Sequence, residues 1–263
     1  MTVSTVLDAD FIIKASSIFD VSNKNLLDRL LELPNRKFYC HFQVYSEIRN
    51  DRIISYLDEK IHSKQITCYK DEHIIACLEK YYDELAFYQH MNFLETACKA
   101  FDAKKFTDIY SCFDNDDRFD KSTYLSELKK AELKIDKDND MGEIKSYVLL
   151  QMLYYLDENT CRFGSDDKKA RQGIISVNPG GVFKCVSILS LFELFRLELK
   201  WDFETAKPYI DAVINFYGEY NQKTFKVYDY SANFEKVSMR KVFEDLFAGK
   251  FELLANGFLR YKC

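Results

Sequence analysis

Six carboxylates fall where a cleft for phosphate chemistry would need them. Asp8 and Asp10 follow the first apolar run of the chain, and Asp166 and Asp167 follow a later one. Glu47 and Glu143 each stand near the start of a helical pattern. In an open parallel sheet, sites form outside the carboxyl ends of the strands, so acids at two strand ends meet when those strands are neighbours. Carboxylates held close repel one another unless protonated or neutralised. Hard oxygen donors suit Mg²⁺ and Mn²⁺, which keep part of their water and pair with substrate phosphates. Such an ion generates hydroxide and stabilises the charge of a phosphodiester transition state. The chemistry these residue types support is therefore metal-assisted phosphoryl transfer to water. Lys145, Lys168, Lys169 and Arg171 lie close to the acids in the chain and could steer a phosphate backbone toward them.

Each acid taken alone has a plainer reading. An Asp at a strand end commonly caps the next helix. Glu47 and Glu143 near helix starts suit the helix dipole with no chemistry, and Asp166-Asp167 could be a cap pair. The lysines could equally form a solvated helix face. What favours chemistry is the order of the acids along the chain, with strand patterns between them.

The elements that must position them are legible from periodicity. Residues 2–7 are β-branched or apolar apart from Ser4 and read as a buried strand. Further short strands are predicted at 38–40, 65–69, 160–164 and 182–188. Helical patterns cover 11–19, 23–33, 44–62, 72–101, 144–156, 167–177, 190–199 and 203–217, the last with Pro208 as an expected kink. Residues 102–140 are more polar and read as surface helices or an insertion. Strands alternating with helices imply a three-layer α/β/α fold around a mostly parallel sheet. The expected organisation is one domain over 1–217, with a helical insertion at about 86–140, and an extension over 218–263 packed on it. In that extension 224–230 alternates like a strand and 239–247 reads as a helix.

Composition narrows the function classes. Hydrophobic residues make up 47% and charged residues 30%, enough to bury a core without a disordered tail. Acids outnumber bases by 42 to 37, which argues against a protein that coats nucleic acid through a broad basic face. Any nucleic acid would be held by a local basic patch. The eight cysteines contain no C-x-x-C pair, so neither a zinc ribbon nor a thioredoxin-like motif is present, and reduced thiols are expected. Asp8 and Asp10 interrupt the first apolar run too early for a signal peptide, and no apolar stretch is long enough to span a bilayer. The expected location is the cytoplasm, with no membrane partner.

The segments Val6-Leu7-Asp8-Ala9-Asp10-Phe11, Ser46-Glu47-Ile48, Gly142-Glu143-Ile144-Lys145-Ser146 and Ser165-Asp166-Asp167-Lys168-Lys169-Ala170-Arg171 resemble the motifs of PIN domains, in that family's order. The family consists mainly of metal-dependent ribonucleases, including the toxins of many toxin–antitoxin pairs. The resemblance implies Asp8, Glu47, Glu143 and Asp167 as the catalytic acids and ligands of Mg²⁺ or Mn²⁺, with Asp166 as an auxiliary acid. Asp10 stands where the family more often has Asn, Ser or Thr, and a carboxylate there could add a ligand. RNA would be the substrate, held by Lys168, Lys169 and Arg171, and an antitoxin-like inhibitor or a second copy the protein partner. The match spans roughly the first 215 residues, on a length typical of one domain. The chain is longer than common members between residues 86 and 140, and the tail after Tyr217 has no counterpart.

Two other readings compete. Asp8-Ala9-Asp10 with Gly164-Ser165-Asp166-Asp167 also resembles haloacid-dehalogenase-like phosphatases, where Asp8 would be a nucleophile and Asp10 the acid/base. Phe11 and Ile12 depart from that pattern, and Glu143 would have no role. A PIN-like scaffold without activity, serving as a protein-binding module, is the third. Calcium binding at Asp136, Asp138 and Asp140 is excluded by Met141 where the loop needs Gly and by the missing closing Glu.

Overall fold

The computed structural model describes residues 2–111, 120–134, 140–157, 160–178 and 181–263. Asp114, Asp116, Asp117, Asp136 and Asp138 lie outside them. The chain forms β1 (Val3–Leu7), α1 (Ala9–Ser17), α2 (Leu26–Leu31), β2 (Arg36–His41), α3 (Phe42–Glu47), α4 (Asp51–His62), β3 (Ile66–Tyr69) and α5 (Asp71–Tyr82). It continues through α6 (Ala86–Phe101), α7 (Ala103–Tyr110), α8 (Lys121–Lys134), α9 (Met141–Asp157), β4 (Thr160–Gly164), α10 (Lys168–Ser176) and β5 (Phe183–Val186). The remainder is α11 (Ile188–Glu198), α12 (Phe203–Glu219), β6 (Thr224–Tyr228), β7 (Phe234–Ser238), α13 (Met239–Phe247), β8 (Phe251–Leu253) and β9 (Leu259–Tyr261).

The first five strands make one all-parallel sheet in the order β3-β2-β1-β4-β5. Winding runs outward from β1 to β3, then crosses back to β4. The direction reverses between β1 and β4, and at such a reversal the flanking connections diverge and leave a crevice over the strand ends. Pairing of Leu7 with Gly164 puts the residues after both strands side by side. Successive residues of β1 serve opposite layers, as the pleat requires. Leu7 packs with Phe11, Leu27 and Phe192 on one face, and Val6 with Ile74, Leu94 and Val148 on the other. Burial on both faces explains why β1 reads as a continuous apolar run. This is the expected three-layer α/β/α architecture.

Two long helical patterns prove to be broken. The stripe at 44–62 divides into α3 and α4, because Ile48 is extended and the Asn50 side chain accepts from the N–H groups of Arg52 and Ile53, starting a new helix. The stripe at 72–101 divides at Asp83, whose φ of 45° no helix can contain. Hydrophobic periodicity does not register such breaks, since the apolar face resumes in phase. Within the expected insertion, α6 is an integral core helix that buries Phe93, Leu94, Ala97 and Cys98 in the layer beside α9. Pro208 does not interrupt α12, which runs to Glu219.

Beyond α12 the chain builds a four-stranded sheet in the order β7-β6-β9-β8, with α13 connecting β7 to β8. Phe225, Val227, Val242, Phe243 and Leu259 enter the same buried cluster as Leu7 and Phe192. The Phe192 and Phe243 rings meet edge to face at 4.8 Å. A backbone bond of 2.6 Å from the Cys185 N–H to the Ala255 carbonyl ties the edge strand β5 to this region. Among the described residues no helix is long and apolar enough to cross a membrane.

Candidate functional site

Asp8 occupies the N-cap position of α1, yet its side chain makes no capping bond. It is turned toward β4 instead, where Ser165 Oγ donates to its Oδ2 at 3.1 Å. Ser165 is itself fixed, its N–H donating to the Val186 carbonyl at 3.0 Å and its Oγ accepting from the Asp167 N–H at 3.1 Å. Asp8 is only 2% exposed. Burial pushes its carboxyl up to about 7, with the charges of Asp10 and Glu47 adding to the rise.

Glu143 lies in the first turn of α9. Burial pushes its carboxyl up to about 8, and Asp8, Glu47 and Asp140 add repulsion in that order. Its Oε2 is buried with no hydrogen-bond partner among the described residues. An unsatisfied buried acceptor is costly, and a cation would satisfy it.

Glu47 ends α3, and its carboxylate lies directly over Gly142, so that a methyl group on residue 142 would overlap it. Gln43 Nε2 donates to Glu47 Oε1 at 3.1 Å, and the Gly142 N–H also donates to this carboxylate. Burial nevertheless holds the Glu47 carboxyl above its ordinary range. Asp140 stands just before α9, with Lys105 Nζ at 3.4 Å and Lys169 Nζ at 3.7 Å. The sequence places Asp140 only in a solvated turn; its position against Glu47 and Glu143 emerges from the packing of α3 on α9.

The other candidate acids are engaged differently. Asp166 accepts from Lys14 Nζ at 2.9 Å, from the Tyr217 hydroxyl at 2.6 Å and from the Ile188 N–H at 3.2 Å. Burial alone would raise its pKa, but Lys14 and Tyr217 outweigh it and keep the group ionised. Asp166 thus joins α1, α11 and α12. Asp167 is exposed and caps α10, accepting from the Lys169 and Ala170 N–H groups. Asp10 is held by Lys14 at 2.9 Å, and burial pushes its carboxyl up.

Of the basic candidates, Lys168 and Lys169 are exposed at the rim. Arg171 is not a surface cation: it is 4% exposed, and its guanidinium donates to the Ser165 carbonyl at 2.8 Å and the Asn256 carbonyl at 3.0 Å. It clamps the Ser165 loop to the C-terminal region. Lys145 is likewise buried, paired with Asp71 at 2.8 Å and with Glu132.

That last pair belongs to a network missed in the sequence. Asp71 Oδ1 is approached by His90 Nε2 at 3.3 Å and by His41 Nε2 at 3.5 Å. His41 Nδ1 accepts from the Gln43 N–H at 3.0 Å, which leaves its proton on Nε2, facing Asp71. His90 Nδ1 meets the Tyr124 hydroxyl at 2.8 Å. Burial would raise Asp71, but Lys145 and then the two histidines hold it well below the carboxylate range. The available signal was polar residues on apolar helix faces, His90 on α6 and Lys145 on α9.

Three acids from three elements, Asp8, Glu47 and Glu143, thus sense one another's charge, with Asp140 beside them. Among the described residues no group of three or more His, Cys, Asp or Glu side chains is arranged to hold a metal ion as it stands. In charge and donor type the set fits a hard divalent cation: oxygen donors, mutual repulsion among the carboxylates and one unmet buried oxygen. Comparison of the chain with protein-family models, curated proteins and solved structures returns no match.

Proposed function

We propose that this chain is a metal-dependent endoribonuclease that hydrolyses RNA phosphodiester bonds with Mg²⁺ or Mn²⁺. Asp8, Glu47 and Glu143 would hold the ion, and Asp167 would contribute from the rim with the oxygen not used in capping α10. The observation that carries this reading is the raised Asp8–Glu143 pair over the β1/β4 crevice, with Glu143 Oε2 unsatisfied. Acids with raised pKa values at the strand ends of a parallel sheet are candidates for a working site. The resemblance to PIN motifs supports the choice of RNA.

A bound ion would supply an activated water and charge stabilisation at the phosphate. The chain's own groups prepare its seat. Ser165 fixes the orientation of Asp8, Gly142 leaves room for the Glu47 carboxylate, and Arg171 holds the Ser165 loop from behind. Lys168 and Lys169 attract the backbone toward the acids.

The test is cleavage of end-labelled single-stranded RNA with Mn²⁺, Mg²⁺ or EDTA, comparing wild type with Asp8→Asn and Glu143→Gln. EDTA-sensitive cleavage lost in both variants supports the proposal. Turnover of a chromogenic phosphate ester in place of RNA would instead establish a phosphatase, and inactivity on both would favour a binding module.

A further inference from the structure

The C-terminal sheet has one buried face and one outward face of cations and rings, where Arg260 is already paired with Glu252 at 2.6 Å. Phe225 and Val227 of β6 and Val237 of β7 point into the core. By the period of the strand, Lys226 and Tyr228 point the other way, as do Phe234 and Lys236. Pairing sets Tyr228 opposite Phe234 and Lys226 opposite Lys236. The two rings stack at 4.1 Å between centroids, and Phe234 remains 42% exposed.

Two features point outward to a ligand. Like charges directly opposite on neighbouring strands destabilise a sheet, yet Lys226 and Lys236, both exposed, stand directly opposite each other. A polyanion would remove that repulsion. Second, Lys168 Nζ lies 4.3 Å from the Phe234 ring centroid, and Lys168 follows Asp167 directly at the mouth of the acid cluster. The rings and lysines of the C-terminal sheet therefore adjoin the crevice between β1 and β4.

We propose that this face, formed by Lys226, Tyr228, Phe234 and Lys236 with Lys168 at its inner edge, binds single-stranded RNA and leads it to the acid cluster. The proposal rests on the nuclease reading for the destination of the strand. An exposed ring such as that of Phe234 accepts an unpaired base by stacking, while the bases of a duplex are already stacked on one another. The lysines follow the phosphates. A chain of net charge −5 needs such a local patch to hold RNA at all.

The test measures fluorescence anisotropy of a labelled oligouridine of about 12 nucleotides, within the span such surfaces cover. It uses the full chain carrying Asp8→Asn, so that binding is read without turnover. Phe234→Ala should weaken binding about fivefold or more, the loss expected for one stacked base. Lys226→Glu with Lys236→Glu should weaken it further and reduce the salt dependence by about 1.4 in log–log slope, for two lost contacts to a single strand. Both sites are exposed, and unchanged thermal midpoints will confirm that the variants fold. No oligouridine binding before the face is altered, or equal affinity in all variants, would overturn the proposal. So would displacement by poly-glutamate as effective as by RNA, which would point to an acidic protein partner. Because binding is read without turnover, metal-dependent cleavage with unaltered binding in the face variants would refute this face alone. Loss of binding in those variants from a chain that never cleaves RNA would refute only the nuclease reading.

Discussion

Two clusters containing buried or half-buried carboxylates lie on either side of α9, and they differ in whether positive groups accompany the acids. Glu143 and Lys145 are two residues apart. Glu143 senses Asp8 and Glu47, with no positive partner among the described residues. Lys145 sits between Asp71 and Glu132, with His41 and His90 closing the group. The same burial that raises Asp8 and Glu143 is overcome at Asp71, which stays ionised. Asp166, two residues beyond the end of the strand beside β1, is kept ionised by the charge of Lys14 and the hydroxyl of Tyr217. The fold evidently has the means to compensate buried carboxylates, and it does so at Asp71 and Asp166. Asp8 and Glu143 lack such a positive partner among the described residues, and on the proposed function the positive charge would come from the bound ion.

The largest effect that separates the clusters is on catalysis. Asp8→Asn and Glu143→Gln should each lower the rate of RNA cleavage roughly a thousandfold, the scale of removing a group that organises transition-state charge. Single-turnover rates at saturating Mn²⁺ check this. If Lys14→Met, which releases Asp166, lost as much activity while folded, the division between working and structural acids would collapse.

Stability should divide the other way. Lys145→Met strands two half-buried carboxylates and should cost about 3 kcal/mol in urea unfolding. Asp8→Asn should instead stabilise the metal-free protein above neutral pH. The sign follows from linkage: with folded values of about 7 and about 8 against ordinary values near 4, the folded state binds more protons than the unfolded one between them. Stability of the metal-free chain should then fall as pH rises from about 4 to about 8, by several kcal/mol at about 1.4 kcal/mol per unit of raised pKa, and most of the loss should disappear in the Asp8→Asn, Glu143→Gln double variant. Urea midpoints across that range give the answer, and a flat profile in the wild type would remove the electrostatic case for the site.

Metal should act on one cluster only. At about a hundredfold excess over its dissociation constant, Mn²⁺ should stabilise the wild type by about 2.7 kcal/mol. Thermal scans with and without EDTA read it as a raised midpoint in the wild type and in Lys14→Met, and as none in Asp8→Asn. A rise of equal size in all three would place the ion elsewhere.

The parallel sheet was legible because buried parallel strands such as β1 are continuous apolar runs, and the acids at β1 and β4 were legible because strand ends are. Which acids work was not. Asp166 and Asp167 look alike in the sequence, but one is tied to Lys14 and Tyr217 from distant segments and the other caps its own helix. Arg171 and Lys145 read as surface cations from their neighbours, while their partners, Asn256 and Asp71, lie 85 and 74 residues away. Pairing across such separations leaves no local trace. The short strands β8 and β9 escaped for a related reason, since three residues are too few to show a period.

The smallest effect is the most diagnostic of design. Replacing Gly142, near the start of a helix, with Ala should favour the helix by up to about 1 kcal/mol. The added methyl would overlap the Glu47 carboxylate, and that flexible end can swing aside at little cost. Gly142→Ala should therefore fold as well as the wild type or slightly better, while displacing one acid of the cluster. Cleavage should fall about tenfold, within the range for disturbing a group that orients a metal ligand. Alanine with unchanged cleavage would mean that Glu47 is not held there for the ion, and would reduce the site to Asp8 and Glu143. Lower activity at equal or greater stability would show a glycine kept against helix propensity for the sake of the carboxylate above it, a conflict expected at a functional site and not in a structural cluster such as that around Asp71.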